Sequence, residues 1–185
     1  IVPADGNQTE QAVLAAYRHQ GPVYLRLSRY RLPNFLPEGC AFELGRAVAL
    51  RRGSGVALAA AGPVTAHALQ AAELLRAQGL DPGVYNFHTI KPFDLDCARE
   101  IAAGYDAVFT LEEHNVVGGL GSAMAEALAE LFEPECKPLL QRIGIRDAYG
   151  ESGTAEELIR KHRLDAEGIR DAVRQTLEKR RQLRR

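Results

Sequence analysis

The chain has no tryptophan, one methionine (Met124) and only three cysteines in 185 residues. Cys40, Cys97 and Cys136 are odd in number and far apart, so neither a disulfide framework nor a closely spaced pair of metal ligands is written into the sequence. The expectation is free, mostly buried thiols in a reducing cytoplasm. An excess of charge is missing too. Lys and Arg number 23 against 24 Asp and Glu, a net charge of -1, which excludes general attraction to nucleic acid or to an anionic membrane. No apolar run approaches the roughly 20 residues needed to cross a bilayer. The first residue is Ile1 rather than methionine, so the expectation is a processed or partial piece of something longer.

What is present is a regular alternation of elements. The first segment, "IVPADGNQTEQAVLAAYRHQGPVYLRLSR", predicts a helix over 10–20 capped by Thr9 and ended by Gly21-Pro22. A short strand "VYLRL" follows, alternating at Val23, Leu25 and Leu27. One helix and one strand cannot bury an independent core, so their sheet partners are expected upstream. "YRLPNFLPEGC", with two prolines and a glycine, reads as an irregular linker, with a boundary near Leu36. Beyond it, strands are predicted at 55–62, 83–90, 106–113 and 138–145. Helices are predicted from Gly62-Pro63 to Gly79, over 94–104 with Asp94 as cap, over 120–132 with Leu120, Met124, Leu128 and Leu131 on one face, and near 154–162 and 166–182. Strands alternating with helices imply a mostly parallel sheet covered on both faces, an α/β fold.

Three groups of residues invite a chemical reading. "GGLGSA" follows a strand and opens a helix, where glycines let backbone N–H groups approach an anion. It is not the dinucleotide fingerprint, because Met124 stands where a third glycine belongs, and a tight strand–helix turn explains it as well. Glu112, Glu113 and His114 offer acid–base groups, but neighbours on a strand face opposite ways, so at most two converge. A charged strand end at a domain or subunit contact is the plainer account. Arg26 and Arg29 close the first segment. A guanidinium at a strand's carboxyl end can clamp a phosphate with two parallel hydrogen bonds or form a surface ion pair, and the residues alone leave both open. His19, His67, His88 and His162 lack partners at ligand or catalytic spacing, and the basic end "EKRRQLRR" suits a solvated helix terminus.

Four stretches in order, "GPVYLRLSR", "VYNFHTIKPFD", "LEEHNVVGGLGSAMAEALAE" and "YGESGTAEELIRKHRLDAEGI", resemble the last part of a transketolase over nearly the whole chain. Deoxyxylulose-phosphate synthases and the β subunits of 2-oxoacid dehydrogenases share that domain, and "LSR" with "EEHNVVGGLGS" leans towards transketolase. The resemblance implies a tail of the pyrimidine-binding domain (1–30), a linker (31–40) and a three-layer α/β/α C-terminal domain (41–185) with a mostly parallel, mixed five-stranded sheet. It implies transfer of a two-carbon ketol unit from a ketose phosphate to an aldose phosphate, as in the pentose phosphate pathway, with thiamine diphosphate and magnesium. Neither the cofactor, the metal nor a catalytic residue is expected on this chain, which is expected to be inactive alone. "ADGNQ" only superficially resembles the diphosphate motif, with Ala4 in place of its first glycine and Asn7 too near. By resemblance, Arg29 grips the substrate phosphate, while the glycine-rich turn is structural, its charged residues facing another domain or subunit. The expected partners are the upstream transketolase domains, on the same chain or as a separate subunit, a second copy in a homodimer, and sugar phosphates. The rivals are the same region of the two sister enzymes, or a non-catalytic dimerisation module.

Overall fold

The computed structural model describes residues 1–29, 33–130 and 138–183. Five strands form one sheet in the order β1-β3-β2-β4-β5. They are β1 (Val48–Arg51), β2 (Gly55–Ala61), β3 (Gly83–Asn86), β4 (Tyr105–Asn115) and β5 (Leu139–Ile145). β2 runs parallel to β3 and β4, and β4 parallel to β5; β1 alone is antiparallel, against β3. The sheet is therefore mixed, as expected.

β2 explains the three layers. Alternate residues of a strand face opposite sides, and "GVALAAA" is apolar on both. Val56, Leu58 and Ala60 meet Val64, Ala68, Ala72 and Leu75 of α2 (Val64–Arg76) and Ile169 and Val173 of α6 (Ala166–Leu183). Ala57, Ala59 and Ala61 meet Ala98 and Ile101 of α3 (Leu95–Gly104) and Leu120 and Met124 of α4 (Leu120–Glu130). The small alanines let helices approach the central strand from both sides. Phe109, fully buried on β4, fills the α2–α6 side; removing a ring of this kind costs about 3–5 kcal/mol.

Local signals set the ends. Gly79, at φ +82°, closes α2 with the paired bonds Leu80 N–H to Leu75 O and Gly79 N–H to Arg76 O. Asp94 caps α3 through Cys97 N–H, and its second oxygen accepts from Ala47 N–H, tying the incoming chain to the helix. Thr154 and Glu157 form a reciprocal capping box on α5 (Ala155–Lys161).

The N-terminal segment departs from expectation in two respects. α1 (Gly6–Arg18) begins earlier than predicted, because Asp5 rather than Thr9 caps it. Thr9 sits in the first turn and donates its hydroxyl to Asp5 O. Residues 22–27 are not part of the sheet. Among the described residues their backbone bonds are Ile1 N–H to Tyr24 O and Arg26 N–H to Ile1 O, too few to make a strand. β1 was not foreseen: it is four residues long, bulged against β3, and has no fully buried residue to give a periodic signal. β4 is longer than predicted, reaching Asn115, and β3 ends at Asn86, its continuation to Ile90 leaving the ladder. The predicted helix end at 131–132, with Leu131, falls outside the described residues, as does Cys136. Cys40 and Cys97 are free and half-buried, and burial pushes the Cys97 thiol up to about 12, which leaves it unreactive at neutral pH.

Candidate functional site

β2 hands the chain to β3 on one side of the sheet, and β4 hands it to β5 on the other. The crevice between the carboxyl ends of β2 and β4 is thus the topological switch point, where open α/β sheets receive ligands. A cavity of about 800 Å³ stands over it, bounded by Ala61, Glu113 and Gly119 from the sheet's crest and by Val2, Val23 and Tyr24 from the N-terminal segment. The glycine-rich turn lies at its floor.

That turn already holds an anion, its own. The buried Glu112 carboxylate accepts from Leu120 N–H at 2.8 Å and Gly121 N–H at 2.9 Å, the first free donors of α4. A carboxylate at a helix N-terminus satisfies orphan N–H groups and complements the helix dipole. Burial raises the Glu112 pKa, while the two backbone hydrogen bonds and the nearby His114 and Arg142 pull it down. Each glycine has a separate task. Gly118 takes φ +79° at the bend. A Cβ on Gly119 would collide with Glu112 Oε2, and one on Gly121 would lie 2.7 Å from Arg142 Cδ and 2.9 Å from Thr110 Oγ1. "GGLGSA" is therefore a turn fitted around a capping carboxylate, and the donors a phosphate would need are taken.

The acid–base trio separates. His114 is exposed, its Nδ1 2.8 Å from Asn115 O and 3.9 Å from Glu112 Oε2, too far for a hydrogen bond. Glu113 is half-buried, and its carbonyl accepts from the Arg26 guanidinium at 2.6 Å. The expectation that these charges face another domain or subunit fails for Glu112, which turns inward to cap α4. Arg26 and Arg29 also part company: Arg26 is half-buried against the end of β4, whereas Arg29 is exposed and outside the cavity lining.

A buried polar seam joins the N-terminal segment to the sheet, and no sequence motif announced it. Gln8 Oε1 accepts from Ala4 N–H at 2.8 Å and from Asn86 Nδ2 at 3.0 Å. Val2 N–H donates to His88 O at 2.7 Å. The His88 ring is fully buried, stacked on Phe42 at 4.1 Å, and burial holds its pKa down to about 4, so it is neutral near pH 7. The only advance signal was polar residues inside an apolar strand run, "VYNFH".

Thiamine diphosphate and magnesium, implied by the resemblance, do not fit the residues present. Asp5, the acid of "ADGNQ", is committed: Oδ1 accepts from Gln8 N–H, and Oδ2 from Phe35 and Leu36 N–H. Asn7 bonds Leu36 O and Asn34. Among the described residues, no group of three His, Cys, Asp or Glu could hold a metal ion, and no helix is long and apolar enough to cross a membrane.

Comparison with known proteins agrees with the architecture. Residues 45–169 match the family described as transketolase, C-terminal domain. The chain is 41% identical over 177 residues to the 6-deoxy-6-sulfo-D-fructose transketolase subunit SqwH of Clostridium sp. (strain MSTE9), covering 96% of this chain and 54% of that protein. It is 37% identical over 176 residues to the 1-deoxy-D-xylulose-5-phosphate synthase of Aromatoleum aromaticum, covering 94% of this chain and 27% of that one. A solved split-gene transketolase, an inactive β4 tetramer, superposes with a TM-score of 0.88 at 40% identity, covering 96% of this chain and 57% of that one. The chain thus spans about half the length of the relatives named as transketolases, and less of the synthase. With a mixed five-stranded sheet between helical layers and that match, it belongs to the transketolase family and carries its C-terminal domain.

Proposed function

We propose that this chain is the C-terminal part of a transketolase that transfers a two-carbon ketol unit from a ketose phosphate to an aldose phosphate. It is inactive alone, and it contributes structure, dimerisation and a substrate-phosphate arginine, Arg29. Residues 1–30 are the tail of the pyrimidine-binding domain, 31–40 the linker and 41–185 the C-terminal domain.

The observation that carries this reading is an αβ unit left incomplete on a finished domain. α1 buries Gln8 and Ala12 but exposes Val13, Leu14 and Tyr17 on one face, and the extended run after it exposes Tyr24 and Leu27. Contiguous apolar surface of this kind marks a contact. Under this reading the upstream part of the transketolase supplies it, along with the thiamine diphosphate and magnesium sites. One relative being a transketolase subunit and another a split-gene transketolase supports a separate upstream subunit.

The test is reconstitution. This chain mixed with the upstream part, thiamine diphosphate and magnesium should transfer two carbons from a ketose phosphate to ribose 5-phosphate, and neither part should do so alone. Arg29→Ala in the mixture should raise KM for phosphorylated substrates about tenfold or more, the loss of a charge-assisted contact, with little effect on unphosphorylated ones. Equal effects on both would remove the phosphate role. The similarity to deoxyxylulose-phosphate synthase favours a second reading. Under it the mixture would instead form 1-deoxy-D-xylulose 5-phosphate.

A further inference from the structure

Resting on the reading of Arg29 as the phosphate grip, we infer that Arg26 is its positioning residue, latched to the crest of the sheet so that Arg29 is held at a fixed place and direction. The two arginines stand three residues apart in a stretch outside the sheet, with Arg29 at a bend, and the structure places the two side chains differently. Arg26 turns in, its guanidinium donating to the Glu113 carbonyl at 2.6 Å, a charge-assisted bond at the short end of the usual range. Its backbone is pinned as well, since Arg26 N–H donates to Ile1 O at 2.9 Å. Arg29 is left exposed.

The acceptor is itself firmly placed. Glu113 lies between Glu112, whose carboxylate caps α4, and His114, whose ring nitrogen is 2.8 Å from Asn115 O. The latch therefore ends on rigid sheet, and the position of Arg29 is read from the crest of β4. A domain without reacting groups then still influences the substrate phosphate, because a small displacement of a positioning element is costly to the group it orients.

The experiment uses this chain assembled with its upstream part, with KM and kcat measured for a phosphorylated and an unphosphorylated acceptor. Arg26→Gln should raise KM for the phosphorylated acceptor about tenfold, with kcat and the unphosphorylated acceptor nearly unchanged. Arg26→Lys, which keeps a charged donor, should restore most of the loss. In an Arg29→Ala background, Arg26→Gln should add nothing further, the coupling expected when one residue acts through the other. A full, independent effect of Arg26→Gln in that background would make Arg26 a substrate contact and overturn the inference. So would no effect of Arg26→Gln where Arg29→Ala is phosphate-selective, or an equal loss on both acceptors accompanied by a lowered melting temperature. If Arg29→Ala is itself not phosphate-selective, the parent reading fails first, and the two failures are told apart.

Discussion

The sheet with its helices and the first 29 residues are built from the same kinds of element and reach opposite conditions. In the sheet, a central strand is covered on both faces, α3 starts on its Asp94 cap, and even the glycine-rich turn has its carboxylate. In the N-terminal segment, one face of α1 is packed and the other displays Val13, Leu14 and Tyr17. The stretch that follows it has, among the described residues, two backbone bonds where a paired strand of that length would have more. Completeness is therefore a property of the unit that owns its partners. A domain whose strands close on one another is finished by its own sequence, while the N-terminal segment keeps apolar surface exposed.

The comparison breaks most decisively if the exposed face is charged. Leu14→Asp with Tyr17→Asp should abolish reconstituted transfer while leaving the isolated chain's melting temperature within the change expected of surface substitutions, about 0.5 kcal/mol. Retained activity would show that this face is not the contact. Next in size is Gly119→Val, which drives a side chain into the Glu112 carboxylate and Asn115 O. It should destabilise the domain by about 3 kcal/mol or more, read by denaturant titration. A stable, well-assembled but inactive variant would instead return the turn to the list of reacting sites. Smallest is a pH effect. Burial raises the Glu112 pKa above its ordinary 4.5, so the folded chain keeps that proton to higher pH than the unfolded one. The resulting stabilisation is complete below pH about 4.5 and is lost as pH rises through the raised value. Across that window the stability of Glu112→Gln should gain on that of the wild type. A relative loss by the variant would mean that the two backbone bonds outweigh burial.

The same contrast explains what the sequence made legible. β2, β3 and the middle of β4 could be read because they are buried on both faces and announce themselves as apolar runs such as "GVALAAAG". α3 and its Asp94 cap could be read because capping is local. β1 could not, since an exposed four-residue edge strand depends on β3 for its existence. The early start of α1 turned on Asp5, whose three acceptor contacts include Phe35 and Leu36, some thirty residues away. Within the candidate site, alternation limited the acid–base trio to two residues on one side, yet Glu112, Glu113 and His114 all line the cavity, at the point where the β4–β5 register is irregular. That Glu112 would bend into a helix start required three-dimensional proximity to Leu120 and Gly121. Residue type alone left Arg26 and Arg29 alike; the resemblance at "LSR" singled out Arg29, and the contact of Arg26 with the Glu113 carbonyl was not legible.

The Glu112 cap has an evolutionary and engineering meaning. Doubly wound sheets offer, at the crest of the sheet, a seat that other proteins fill with a diffusible anion, and here the seat is filled covalently from the preceding strand. The chain carries its own occupant there. Shortening that one side chain, as in Glu112→Ala, would release the Leu120 and Gly121 N–H groups it now holds.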